Sequence, residues 1–187
     1  MMPICETPRL VIRPLVLEDV PALTNILSDP GVMTFSVRGV CDEAATRHFV
    51  EECLAGYIAH GFGPWALEDR RDGALVGFCG IGPERVAGVE EISLGYRLAR
   101  RYWGQGLASE AAAAVLDHAF GRKQCASVVA IIAPDHVASQ KVVGKVGFGS
   151  FELQPFHDRT VRVYRLTQRQ WQSSERGVSP SQGKGGQ

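Results

Sequence analysis

The sequence has no excess of charge, because its 20 lysines and arginines cancel its 20 aspartates and glutamates. Nucleic acid and anionic membrane call for a basic patch, so neither is expected as a partner. Paired cysteines are also lacking. Cys5, Cys41, Cys53, Cys79 and Cys125 are odd in number, scattered and never spaced as CxxC. That argues against a disulfide framework and a thiolate zinc site, and it predicts reduced, mostly buried thiols. There is no run of about 18 apolar residues, and the opening MMPICETPRL lacks the apolar core of a signal peptide. A cytoplasmic protein is therefore expected. His48, His60 and His118 make no pattern with other histidines or carboxylates that reads as a metal site, and no metal is expected.

What is present is the composition of an ordinary globular protein, 45% hydrophobic and 21% charged. A chain near this length buries roughly 70% of its unfolded surface and can fold without staples. Arg9–Leu15 alternates as a strand, and Pro14 places it at an edge or ends it. Val20, Leu23, Ile26 and Leu27 have helical spacing, with Glu18 and Asp19 at the start and Pro30-Gly31 as the stop. Asp42 can cap a second helix running to Gly61. Two apolar runs flanking Asp72-Gly73 predict a β-hairpin, and Glu90–Ala99 a further strand. Ala108, Ala111, Ala112, Val115, Leu116 and Ala119 put one small-residue face on a third helix, which Gly121 can end. Ala126–Pro134 is apolar enough for a central strand. A short helix follows with Asp135 as cap and Gly147 as terminator, then two strands joined across His157–Thr160. The order β-α-α-β-β-β-α-β-α-β-β predicts an α/β fold in one domain over residues 1–172, with a mixed, twisted sheet of about seven strands and about four flanking helices. Residues 173–187 carry too little apolar surface to offset their ordering entropy and are expected to be disordered.

The stretch RRYWGQGLASEA sets Gly104 and Gly106 at the mouth of the third helix, just after Arg100 and Arg101. Unpaired amides and the helix dipole at such a place favour an anion, and glycines let a phosphate approach the backbone. A tight turn with close packing explains the same residues. Neither a Walker loop nor GxGxxG is present.

Arg101 to Ala108 matches the (Q/R)xxGx(G/A) signature and resembles the GNAT family of acetyl-CoA-dependent N-acetyltransferases. The segments TPRLVIRPL, WALEDRRDGALVGFCGI, LGYRLARRYWGQGLASEA and PDHVASQKVVGKVGF, in that order, are similar to its ribosomal-protein branch of the RimJ/RimL type. The likeness covers about residues 7–167. It implies a GNAT-like domain in which Arg101, Trp103, Gly104, Gln105, Gly106, Leu107 and Ala108 hold the pyrophosphate of coenzyme A. Tyr96 and Leu98 would hydrogen-bond the pantetheine arm. His136 stands where the branch commonly has Asn, and would contact the arm with a ring in place of an amide.

The implied reaction is direct attack of a neutral amine on the thioester, which needs proximity, donors for developing negative charge, and a proton acceptor. Cys79 and Cys125 need no nucleophilic role. Ser139 corresponds to a serine near the cofactor sulfur and is the candidate thiolate donor, with helix-start hydrogen bonding as the alternative. Many relatives carry a glutamate where Ser93 stands. Glu91, two residues earlier and on the same strand face, is the candidate base. His157 with Asp158, or ordered water, are alternatives. Acceptor specificity is expected in Ser28–Thr46 and Pro83–Val89, since connections carry recognition. The first of these is not strongly acidic, which argues against a polycationic acceptor. The resemblance implies a protein N-terminal amine as acceptor. A small-molecule amine, or a non-catalytic acyl-CoA-binding module, are the other readings, and homodimers are common in the family.

Overall fold

Alternation of apolar side chains builds the sheet, and helices then cover both of its faces. The structure is a computed structural model that describes residues 2–176. Its strands are β1 (Cys5–Glu6), β2 (Leu10–Pro14), β3 (Pro64–Asp69), β4 (Leu75–Val86), β5 (Val89–Leu98), β6 (Ser127–Ile132), β7 (Phe151–Phe156) and β8 (Arg159–Thr167). Its α-helices are α1 (Val20–Leu27), α2 (Glu43–His60), α3 (Leu107–Asp117), α4 (Val137–Lys145) and α5 (Gln168–Arg176). The eight strands form one mixed sheet in the order β1-β2-β3-β4-β5-β6-β8-β7, and only β5 and β6 run parallel. This is the expected α/β domain, with a short first strand and a last helix added.

Side chains two apart share a face. Leu10, Ile12, Trp65, Leu67, Cys79, Ile81, Leu94 and Leu98 join Ala111, Ala112, Val115 and Leu116 of α3 and Val143 of α4 in the main core. The opposite face presents Ala66 and Phe78 to Leu23, Leu27, Val50 and Cys53 of α1 and α2. The alanine stripe of α3 lets that helix lie close on the sheet, because Ala111, Ala112 and Ala119 are fully buried. The Asp42 side chain caps α2 by accepting from the Ala45 amide at 2.8 Å, and Gly61 stops it at φ 72°.

Several local expectations shift. Pro14 terminates β2, which is paired on both sides rather than lying at an edge. The β3–β4 turn is longer than two residues, since the Asp69 amide bonds the Ala74 carbonyl around a loop containing Gly73 at φ 73°. Pro83–Val89 is the tip of a long β4–β5 hairpin turned at Ala87 and Gly88, not a free connection. Pro83 fits there because β3 stops pairing at Gly80, leaving that side of β4 without a ladder to break. Gly121 does not end α3, which runs on through a single π turn, His118–Arg122. His136, not Asp135, is the residue before α4. Helix α5 carries regular structure past the expected boundary at residue 172, and the remainder of the expected tail, 177–187, lies outside the described residues.

Candidate active site

The parallel strands β5 and β6 are matched only at Ser93 and Val129, and beyond that point they part. The Ala99 amide donates to the Val76 carbonyl at 2.9 Å, so residues of that parity on β5 bond towards β4. Leu98 and Tyr96, of the other parity, turn their carbonyls into the gap. Two side chains reach these acceptors: Trp103 Nε1 bonds Leu98 O at 2.9 Å, and Arg97 Nη1 bonds Tyr96 O at 2.8 Å. The gap is thus edged by the strand carbonyls of Tyr96 and Leu98, each met by a side chain.

At its mouth a 3-10 turn, Arg100–Tyr102, leads into Gly104 at φ 70° and Gly106 at φ 77°. Gly106 is the residue before α3, and a Cβ built on Gly104 would meet no atom within 4 Å. A left-handed backbone beside open space leaves room for an anion to reach the first-turn amides of Leu107 and Ala108. The loop is braced from behind. Arg9 bonds Glu110 Oε2 and the Gln105 carbonyl, each at 2.7 Å, while Glu110 Oε1 accepts from Thr7 Oγ1 at 2.6 Å and from the Arg9 amide at 2.9 Å. Gln105 itself donates to the Arg101 carbonyl at 2.9 Å. Arg100 pairs with Asp29 at 2.5 Å, and Arg101 lies 4.9 Å over the Tyr102 ring.

At the inner end the Tyr96 hydroxyl donates to Ser139 Oγ at 3.1 Å. Burial raises the Tyr96 phenol to about 12, the bond to Ser139 working the other way, so it stays a neutral donor. Ser139 is 7% exposed, and its own proton remains free to point into the gap. His136 stacks on Phe35 with ring centroids 4.0 Å apart, joining the loop after α1 to the start of α4. Burial, then the charge of Arg97, lowers the His136 pKa and keeps its ring neutral. Between these groups lies a cleft of about 190 Å³ floored by Ser93, Gly95 and Arg97.

Glu91 has the parity expected of it but does not line this cleft. It bonds both terminal nitrogens of Arg165, at 2.5 and 2.9 Å, and that pairing holds its carboxyl below the ordinary glutamate value. His157 and Asp158 form the β7–β8 turn and do not line the cleft either. The carboxylate that does is Glu84, directly across the ladder from Glu91. Sequence reasoning missed Glu84, the Tyr96 hydroxyl, Arg97, Phe35 and the Arg9–Glu110 brace. Arg97 could have been found by parity, since it shares a strand face with Ser93; Glu84 could not, because its place depends on the hairpin register. Among the described residues no group of three or more His, Cys, Asp or Glu side chains could hold a metal, and no helix is long and apolar enough to cross a membrane.

Residues 9–149 match the family model described as the acetyltransferase (GNAT) domain. The chain is 37% identical over 139 residues to the uncharacterized protein YkkB of Bacillus subtilis, covering 74% of this chain and 80% of that one. An acetyltransferase from Agrobacterium tumefaciens superposes with a TM-score of 0.76 at 29% identity, covering 89% of this chain and 95% of its own. Mycobacterium smegmatis RimJ, solved in complex with CoA-disulfide, shares the fold with a TM-score of 0.69 at 22% identity, covering 89% and 90%. A family match across most of the domain, a parted β5–β6 seam and a glycine loop at its mouth converge: the chain belongs to the GNAT family and is an acetyl-CoA-dependent N-acetyltransferase.

Proposed function

We propose that this enzyme moves the acetyl group of acetyl-CoA directly to a compact primary amine held on the floor of the β5–β6 cleft. The observation that carries this reading is the parting of β5 from β6 beyond Ser93 and Val129, with a donor pair at its inner end and bare amides at its mouth. Residues 103–108 receive the coenzyme's pyrophosphate, and Arg101 adds its charge. The strand edge at Tyr96 and Leu98 receives the arm, which takes over the acceptors now held by Arg97 and Trp103. Acetyl-CoA supplies a thioester: the amine nitrogen bonds the acetyl carbon, the carbon–sulfur bond breaks, the amine gives up a proton, and the thiolate takes one.

The chain's part is positioning and proton traffic. Ser139 donates towards the departing sulfur while Tyr96, itself a neutral donor, replenishes Ser139. Glu84 lines the cleft and has no ion-pair partner among the described residues, so it is the carboxylate available to take the amine's proton, relayed through water along the cleft. Glu91 could serve only by breaking its pair with Arg165. His136 flanks the arm as a neutral ring. The Phe35–His136 stack narrows the approach and favours a compact amine; a protein's N-terminal amine, the alternative acceptor, must thread past it. Five free cysteines suit a reducing cytoplasmic setting.

Calorimetric titration with acetyl-CoA, followed by thiol release against a panel of amines and N-terminal peptides, tests the reading. Binding with amine-dependent release supports it. Binding without release on any acceptor points to an acyl-CoA-binding module instead.

A further inference from the structure

Arg97 is charged, half-buried and unanswered. It shares the α1–α2 face of β5 with Ser93 and Gly95, and it stands where the cleft meets a second hollow of about 150 Å³ lined by Leu27, Met33, Phe49 and Phe78. The one hydrogen bond its guanidinium makes among the described residues is to the neighbouring Tyr96 carbonyl, which leaves most of its five donors unused. Among the described residues no carboxylate lies within ion-pair distance of it. No acid lines the second hollow; Arg38, which does, is itself paired with Glu52 at 2.8 Å. Glu84 is at the far end of the cleft, six residues along the ladder and roughly 20 Å away by strand rise. Burial lowers the Arg97 pKa, and only the Tyr96 phenol, not a carboxylate, works against it. A guanidinium withdrawn from water without a counter-charge is costly, and the planar fork it presents fits a carboxylate bidentately.

We propose that Arg97 binds a carboxylate of the acceptor, so that the enzyme acetylates amines that also carry a carboxylate, as an α-amino acid does. This rests on the acyl-transfer reading for its chemistry, but not for its binding contact. Gly95, between Arg97 and Ser93, has no side chain and keeps the floor open. Two residues of strand span about 7 Å, so a carboxylate on Arg97 leaves an amine a few ångströms further on, beside Gly95 and Ser93. A polyamine would bring a second positive charge to Arg97 and be repelled. An acidic residue near a peptide's N-terminus offers the same chemistry from another source.

The test uses the full chain. Thiol release is compared for alanine, alaninamide, and dipeptides with and without an acidic second residue, in the native enzyme, Arg97→Gln and Arg97→Lys. Acetyl-CoA affinity is measured alongside. Calorimetry of N-acetylalanine and N-acetylalaninamide with coenzyme A present reads the contact without turnover. The expected result is a preference for the carboxylate of about tenfold or more, carried mostly in KM, which Arg97→Gln removes and Arg97→Lys partly keeps. Preference only among the dipeptides assigns the carboxylate to a peptide. Selective binding of the carboxylate product without turnover upholds the inference while the acyl-transfer reading fails. Equal use and equal binding of acid and amide overturn it, as does an Arg97→Gln variant, folded by its Tm, that loses acetyl-CoA affinity alone.

Discussion

Charges at the mouth of the cleft and on its floor are handled in opposite ways. At the mouth each arginine is engaged: Arg9 by Glu110, Arg100 by Asp29, Arg101 by the Tyr102 ring. On the floor Arg97 has no acid to answer it. The mouth spends its side chains on holding a loop in a left-handed conformation, so that backbone amides are what a ligand meets. The floor leaves the side chain itself without a partner of opposite charge. Paired charge braces the glycine loop, and the unpaired charge of Arg97 is what our proposal assigns to the acceptor.

The sharpest way to break this contrast is Gly106→Asp. It forces a Cβ onto a residue at φ 77° and sets a carboxylate beside the amides, so acetyl-CoA affinity should fall by roughly a hundredfold or more in calorimetry. Unchanged affinity in a folded variant would sink the loop assignment. Tyr96→Phe removes the inner donor and leaves the loop intact; kcat should fall about tenfold to a hundredfold in thiol release, with little change in coenzyme affinity. If affinity drops in step with kcat, Tyr96 only supports packing.

Glu110→Gln weakens the brace without touching the amides. Because the pair with Arg9 is partly exposed, the expected loss of acetyl-CoA affinity is modest, about threefold to tenfold. The smallest effect concerns pH. His136 has its pKa lowered by burial, so the unfolded chain binds its proton more readily than the folded one, and stability should rise with pH through the range at and below the ordinary histidine value of 6.5. His118 is shifted the same way by burial. Urea midpoints between pH 5.5 and 7.5 should therefore climb, and His136→Gln should flatten part of that climb; an identical slope in the variant would remove His136 from the account.

Much of the fold was legible because local signals agreed with the tertiary outcome. Asp42 and Gly61 bound α2 as their chemistry requires, and the apolar run from Ser127 is central, between β5 and β8. The connection expected at Pro83–Val89 is instead a hairpin tip, since a proline inside a strand is excluded only when the lost N–H faces a partner, and β3 has already ended there. The glycine loop's backbone was legible for the same reason as the caps: Gly104 and Gly106 announce a left-handed conformation in one short stretch. The catalytic side was less so. Glu91 lies on the strand face its parity predicts, yet Arg165, far away in sequence, pairs with it.

The sequence alone determined the class of chemistry, because the glycine loop stands with three further segments in the order the family has them; the loop by itself, its geometry following from local backbone preference, reads equally well as a tight turn. Only the tertiary structure decided which polar groups are spent and which are free. Ion pairing and burial join residues distant along the chain: Arg165 removes Glu91, the hairpin register delivers Glu84, Ser139 meets Tyr96, and Arg97 is left without an acid. A strand's period of two says which face a side chain takes, but what waits for it there depends on elements the local pattern does not contain.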